Sequence, residues 1–141
     1  MPFWQNLILV IVGVVIGSLS YLSKSFIFEP LQDLRKVQGS IRNRLKYFAG
    51  VLTSPGSVKK ELSDEASRVC RELSCELEEK YYSIPFRNAL IKFKFLQPER
   101  NIDEAARKLI FLSNSAHAGK PLENNDAIQT ISSMLWFGKP I

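Results

Sequence analysis

The sequence predicts an all-α fold, an N-terminal transmembrane helix over residues 1–24 followed by a four- to five-helix cytoplasmic bundle over residues 25–141. Three observations predict it. Residues 2–23 contain no charged side chain, and as a helix such a run covers roughly 33 Å, enough to cross a hydrocarbon core. Beyond it, apolar residues recur three and four positions apart, the period of a helix with one buried face. Helix-breaking residues then fall at helix-length intervals, at Pro30, Pro55-Gly56, Pro85, Pro98 and Gly119-Lys120-Pro121, with no series of strands and turns between them.

The first element is the span. Its centre, Leu7 to Ile16, has no polar side chain, and Trp4 and Tyr21 flank it where amphipathic rings favour the membrane–water boundary. A core helix of a soluble protein would show a polar face, and this run shows none. A cleaved signal peptide is the stronger rival, since Ser18 and Ser20 are small enough to precede a cleavage point. No Lys or Arg precedes the apolar run, however, and the run exceeds a signal core in length, so an uncleaved anchor is the favoured reading.

Charge sets the expected orientation. Lys24, Arg35, Lys36, Arg42, Arg44 and Lys46 follow the span, opposed by Glu29 and Asp33. Cations near a span are retained on the cytoplasmic side, which predicts a single-pass protein with its N-terminus outside and its C-terminus cytoplasmic. Residues 24–60 hold eight basic and two acidic side chains, whereas residues 61–141 hold eleven and twelve, so the surplus of positive charge lies beside the membrane. Lys24, Arg35, Lys36 and Arg42 are therefore assigned to membrane-surface contact, each worth about 1 kcal/mol against an anionic leaflet. The lipid bilayer explains the basic stretch more simply than nucleic acid, which is disfavoured as a partner.

The first bundle helix is expected from Pro30 to Leu52, with Leu31, Leu34, Gln38, Ile41, Leu45, Phe48 and Leu52 as its seam. At about three heptads, packing within a bundle is favoured over a coiled coil. A second helix is expected from Val58 to Tyr82, burying Leu62, Ala66, Val69, Leu73, Leu77 and Tyr81. The segment Phe86 to Leu96 interleaves Phe86, Phe93 and Phe95 with Arg87, Lys92 and Lys94. Core packing of the rings with cations turned outward is favoured there, ahead of membrane-surface contact and of nucleic-acid stacking. A further helix is expected from Asn101, as cap, with Glu104 reaching back, to Gly119; the last runs from about Asp126 to Gly138-Lys139-Pro140.

The sharpest motif is Gly13-Val14-Val15-Ile16-Gly17, continued on one face by Ser20. Small residues one turn apart let two helix backbones approach closely in lipid, so Gly13, Gly17 and Ser20 form the candidate transmembrane packing face, with self-association as the consequence. Catalytic signals are sparse. His117 is the single histidine, nothing around Cys70 or Cys75 matches a nucleophile motif, and both thiols are expected to stay reduced. Gly119-Lys120 lacks the rest of a phosphate-binding loop, and Glu76, Glu78 and Glu79 read as a solvated face. No enzyme activity, cofactor or metal is expected.

The juxtamembrane stretch Phe26 to Arg35 and Leu112-Ser113-Asn114-Ser115 resemble small, uncharacterised bacterial single-pass inner-membrane proteins with a cytoplasmic helical domain. That resemblance implies a bacterial inner membrane and no particular activity. The expected function is a membrane-anchored, non-enzymatic adaptor or regulatory protein that presents its bundle to an unknown cytoplasmic protein partner. The alternative is an oligomerising membrane-disrupting effector or toxin.

Overall fold

The apolar N-terminal run forms α1 (Pro2–Ser23), in which no side chain is buried. It does not stop at the edge of the uncharged stretch. A π turn over Lys24–Phe28 carries it directly into α2 (Glu29–Tyr47), so one helical rod covers Pro2–Tyr47. Pro30 is expected to open a new helix; the structure instead passes it through an existing one. A proline within an α-helix has no N–H to donate, and its ring presses on the carbonyl four residues back, here that of Phe26. Widening one turn relieves this conflict. The Glu29 N–H reaches five residues back to the Lys24 carbonyl, and the backbone stays in the right-handed helical region on both sides.

The computed structural model describes residues 2–54 and 59–136. Phe48 leaves helical geometry at φ −91°, ψ 10°, and a short α3 (Ala49–Thr53) follows. The bundle continues with α4 (Lys60–Tyr82), α5 (Arg87–Lys92), α6 (Glu99–Ser115) and α7 (Pro121–Met134). Among the described residues the fold is all-α, with four long bundle helices and two short ones after α1. The expected break at Pro55-Gly56, the expected helix start at Val58 and the expected stop at Gly138-Lys139-Pro140 lie outside the described residues.

Successive long helices alternate in direction, as the bonds between them show. At one end of α4 the Tyr81 hydroxyl donates to the Gln97 carbonyl at 2.8 Å. At its other end Asp64 lies 3.0 Å from His117, and the Ser67 and Ser113 hydroxyls are 3.1 Å apart. Likewise α7 meets α6 through Asn124 and Ser115 at one end and through Met134 and Asn101 at the other. The bundle thus has a proximal end, where α2 leaves the π turn, and a distal end, where Asn124 donates to the Leu52 carbonyl of α3 at 2.6 Å.

Small side chains set the closest packing. Ser63, Ala66, Cys70 and Ser74 on α4 are buried, as are Ala105, Ala106 and Ser113 on α6. Ser74 donates to the Ala106 carbonyl at 2.9 Å, satisfying a buried hydroxyl across the interface. Leu62, expected in the stripe, is instead exposed, because the small-residue face of α4 turns toward α6. The seam of α2 is filled as expected by Leu34, Ile41, Leu45, Phe48 and Leu52, and Val37 joins them.

Two helix starts differ from expectation. α6 begins at Glu99, with Pro98 flanking it, so Asn101 is no cap and donates instead to the Met134 carbonyl at 3.3 Å. Glu104 turns forward to Arg107 at 3.0 Å. α7 begins at Pro121, whose fixed φ suits a first helical position, five residues before Asp126. The turn between these helices needs Gly119, since a Cβ there would lie 2.5 Å from Cβ of Ser115 and 2.7 Å from its carbonyl oxygen.

Because the bundle core closes without help from α1, residues 30–141 detached from the span are expected to show helical far-UV circular dichroism and one cooperative melt. A disordered spectrum in dilute buffer would mean that lipid, or α1 itself, completes the core.

Candidate functional site

Three surfaces lie along the rod and beside it. The first is the candidate packing face. Gly13 and Gly17 have no neighbour within 4 Å of an added Cβ, and Ser20 is exposed, so the groove is open along α1. Leu19, Leu22 and Ser23 lie elsewhere on the same helix, roughly 130° round the axis at 3.6 residues per turn. With Phe26 and Ile27 they line an apolar cleft closed on its other side by Pro85 and Phe86. That cleft lies away from the glycines and leaves their face free.

The second surface is the basic run. Lys24, Arg35 and Lys36 are exposed and Arg42 is half-buried. Helical continuity fixes their spacing: Arg35 and Lys36 stand ~17 Å beyond Lys24 along the rod, and Arg42 ~27 Å beyond it. Lys24 sits at the edge of the apolar run, and the other three stand beyond it along the rod.

The third is the α5 segment at the proximal end. Phe86, Phe93 and Phe95 are 70%, 68% and 63% exposed, which overturns their expected place in the core. Only Leu96 of this stretch is fully buried, with Leu90 and Ile91 packed partly against the core, so three aliphatic side chains seat the segment and the rings face out. The segment ends in a Schellman turn: Phe95 N–H donates to the Leu90 carbonyl at 2.9 Å and Lys94 N–H to that of Ile91 at 3.0 Å. Lys94 occupies the left-handed position of that turn, at φ 61°, where glycine is favoured. Phe86 at φ 58° and Trp136 at φ 56° are the other two such non-glycine positions among the described residues, and Trp136 lines a cavity together with Lys94 and Phe95.

A polar network holds the segment to α4 and α6. The single Tyr82 hydroxyl proton lies between two acceptors, Asp103 at 2.7 Å and Glu99 at 3.0 Å, and this hydrogen bonding, to Asp103 foremost, pushes the phenol pKa up. Arg87 stacks 5.2 Å from the centre of the Tyr82 ring while donating to the Tyr82 and Ile84 carbonyls at 2.9 and 3.3 Å. Its guanidinium is committed to fixing the loop.

The cavity lined by Leu31, Leu34, Gln38, Lys94, Phe95 and Trp136 has a volume of about 230 Å³. Gln38, the polar member of the α2 seam, turns toward it, and its buried Nε2 has no hydrogen-bond partner among the described residues. Elsewhere the chemistry is quiet. Burial pushes the Cys70 thiol up to about 12, so it is held protonated, while Cys75 is exposed on another face. His117 Nε2 faces Asp64 at 3.0 Å. Glu76, Glu78 and Glu79 are exposed as expected, and the described residues contain no group of His, Cys, Asp and Glu arranged to hold a metal ion.

No family model, curated protein or solved structure matches the chain.

Gly13, Gly17, Ser20 and the cations were visible in the sequence as motif and charge pattern. The outward rings around α5 were not, since the four alternating residues Lys92 to Phe95 do not say which face is buried. The Gln38 geometry yields a test. Gln38→Met, of similar volume, removes an unpaired buried polar atom and is expected to stabilise the detached bundle by about 1–2 kcal/mol in chemical denaturation. A lowered stability would mean that the amide is satisfied by something held in the cavity.

Proposed function

We propose that the protein is a single-pass, membrane-anchored, non-enzymatic adaptor or regulator, which carries its helical bundle on the cytoplasmic side and self-associates through the span. The observation that carries this reading is the rod itself. Its N-terminal half is long and apolar enough to cross a membrane and buries nothing against the rest of the chain. Its C-terminal half contributes a complete face to the bundle core. A helix with that much exposed apolar surface requires an apolar surrounding, and lipid supplies one.

Orientation follows from the cationic surplus after the span, which favours a cytoplasmic bundle. Lys24 would meet anionic headgroups, and on an upright rod Arg35 and Lys36 would add a weaker, longer-range attraction and Arg42 the weakest. The bacterial inner membrane remains the favoured setting from the juxtamembrane resemblance. A pore-forming effector is the weaker alternative, because α1 has no polar stripe along its length to line a channel. The open face at Gly13, Gly17 and Ser20 favours a second copy of the span as its occupant, and the proximal loop does not obstruct it. The cytoplasmic partner is a protein of unassigned identity.

Two measurements test these statements. Reporter fusions at Ile141 are expected to be active for a cytoplasmic marker and silent for a periplasmic one; the opposite pattern, or a mature N-terminus near Tyr21, overturns the topology. The Gly13→Ile, Gly17→Ile double variant should insert as well as wild type, since only apolar bulk is added. Its in-membrane crosslinking is expected to fall about tenfold at equal membrane levels, the loss of roughly 1–2 kcal/mol of helix packing. Unchanged crosslinking would show the glycines to be incidental.

A further inference from the structure

The exposed rings of the α5 segment are used neither by the anchor nor by the glycine face. We propose that this segment is a second, monotopic membrane contact, in which Phe86, Phe93 and Phe95 enter the boundary between acyl chains and headgroups while Lys92 and Lys94 meet lipid phosphates. The proposal rests on α1 being a span.

Position is the first argument. Pro85 and Phe86 share an apolar cleft with Leu19, Leu22 and Phe26. Leu19 and Leu22 precede Lys24, the first charged residue after the apolar run, so whatever lies against them lies at the depth where that run meets the headgroups. The start of the loop is therefore delivered to the membrane boundary by the same rod that crosses it. Lys94 and Phe95 share a cavity with Leu31, Leu34 and Gln38, about 10–20 Å further along the rod, so they reach that boundary when the rod tilts toward the loop, as spans commonly do by about 20°. Composition is the second. Residues 85–98 carry Arg87, Lys92 and Lys94 and no acidic side chain, and rings on one surface with cations beside them are the pattern of an interfacial segment. A protein partner would not need that surface to coincide with the exit of the span.

The backbone is the third argument. Phe86 and Lys94 hold left-handed geometry that glycine would adopt without strain, and Lys94 does so within a complete Schellman turn. The strain places a large ring and a long cation where a glycine would leave the surface bare. Arg87 and Tyr82 brace the same loop from behind, so the rings are presented on a fixed platform.

Depth-dependent fluorescence quenching tests this on the full chain reconstituted in anionic vesicles. Trp4 and Trp136 are first replaced by Phe, and a single Trp is then placed at Phe93 or Phe95. A Trp136→Phe protein that retains Trp4 reports on the span, and Leu122→Trp in the tryptophan-free background reports on the distal end, where Leu122 is 80% exposed. With lipid brominated in the upper acyl chain, Trp at 93 and 95 is expected to lose roughly half its emission, as burial to ~5–10 Å demands, while Trp at 122 is unaffected. Quenching of Trp4 but not of Trp at 93 or 95 overturns the proposal and leaves the anchor standing, pointing to a protein cover for the rings. Equal quenching at 95 and 122 also overturns it, because the whole bundle would then lie on the lipid. No quenching at Trp4 removes the span and the proposal together.

Discussion

The structure depends on one local accommodation, the π turn that lets Pro30 sit inside a helix. Without it the chain would break at the end of the apolar run, and α1 and the bundle would be joined by a hinge. With it, a single rod runs from Pro2 to Tyr47, and every bundle helix that packs on α2 inherits a fixed place relative to α1. The loop at Pro85-Phe86 shares a cleft with Leu19 and Leu22 because of that continuity, and so the proximal end of the bundle is a defined surface.

The rod divides its apolar residues between two surroundings. In α2 they are spent within the chain: Leu34, Ile41 and Leu45 are almost wholly buried against the other helices, which leaves no seam for a second copy to grip. In α1 nothing is buried. Self-association, on the reading proposed above, is therefore confined to the half of the rod in lipid, where packing depends on close backbone approach and small residues decide the face.

Much of this was legible in the sequence where a rule is local and repeated. Twenty-two uncharged residues identify α1, and the three-four spacing from Leu31 to Leu52 identifies the buried face of α2. What escaped depends on neighbours. Proline normally ends a helix, and only the wider turn around it shows otherwise. The α4 face turned toward α6 through Ser63, Ser74 and Cys70, polar or small residues that a hydrophobic count passes over, and Leu62 was displaced in consequence. Lys94 and Trp136 stop their helices in a geometry usually announced by glycine, so no stop signal was written there. Among the candidate site residues, the glycines and cations could be named in advance, but their placement relative to the loop could not.

The π turn also fixes an azimuth. One residue in a helix is worth about 100° of rotation, so an insertion or deletion between Lys24 and Phe28 would do more than lengthen or shorten a spacer. It would swing the bundle around the axis of α1 by more than a quarter turn, carrying Pro85 and Phe86 off Leu19 and Leu22. The glycine face and the bundle are thus held in phase, like two marks on one shaft, and the stretch from Lys24 to Phe28 is where substitutions should be tolerated far better than changes in length.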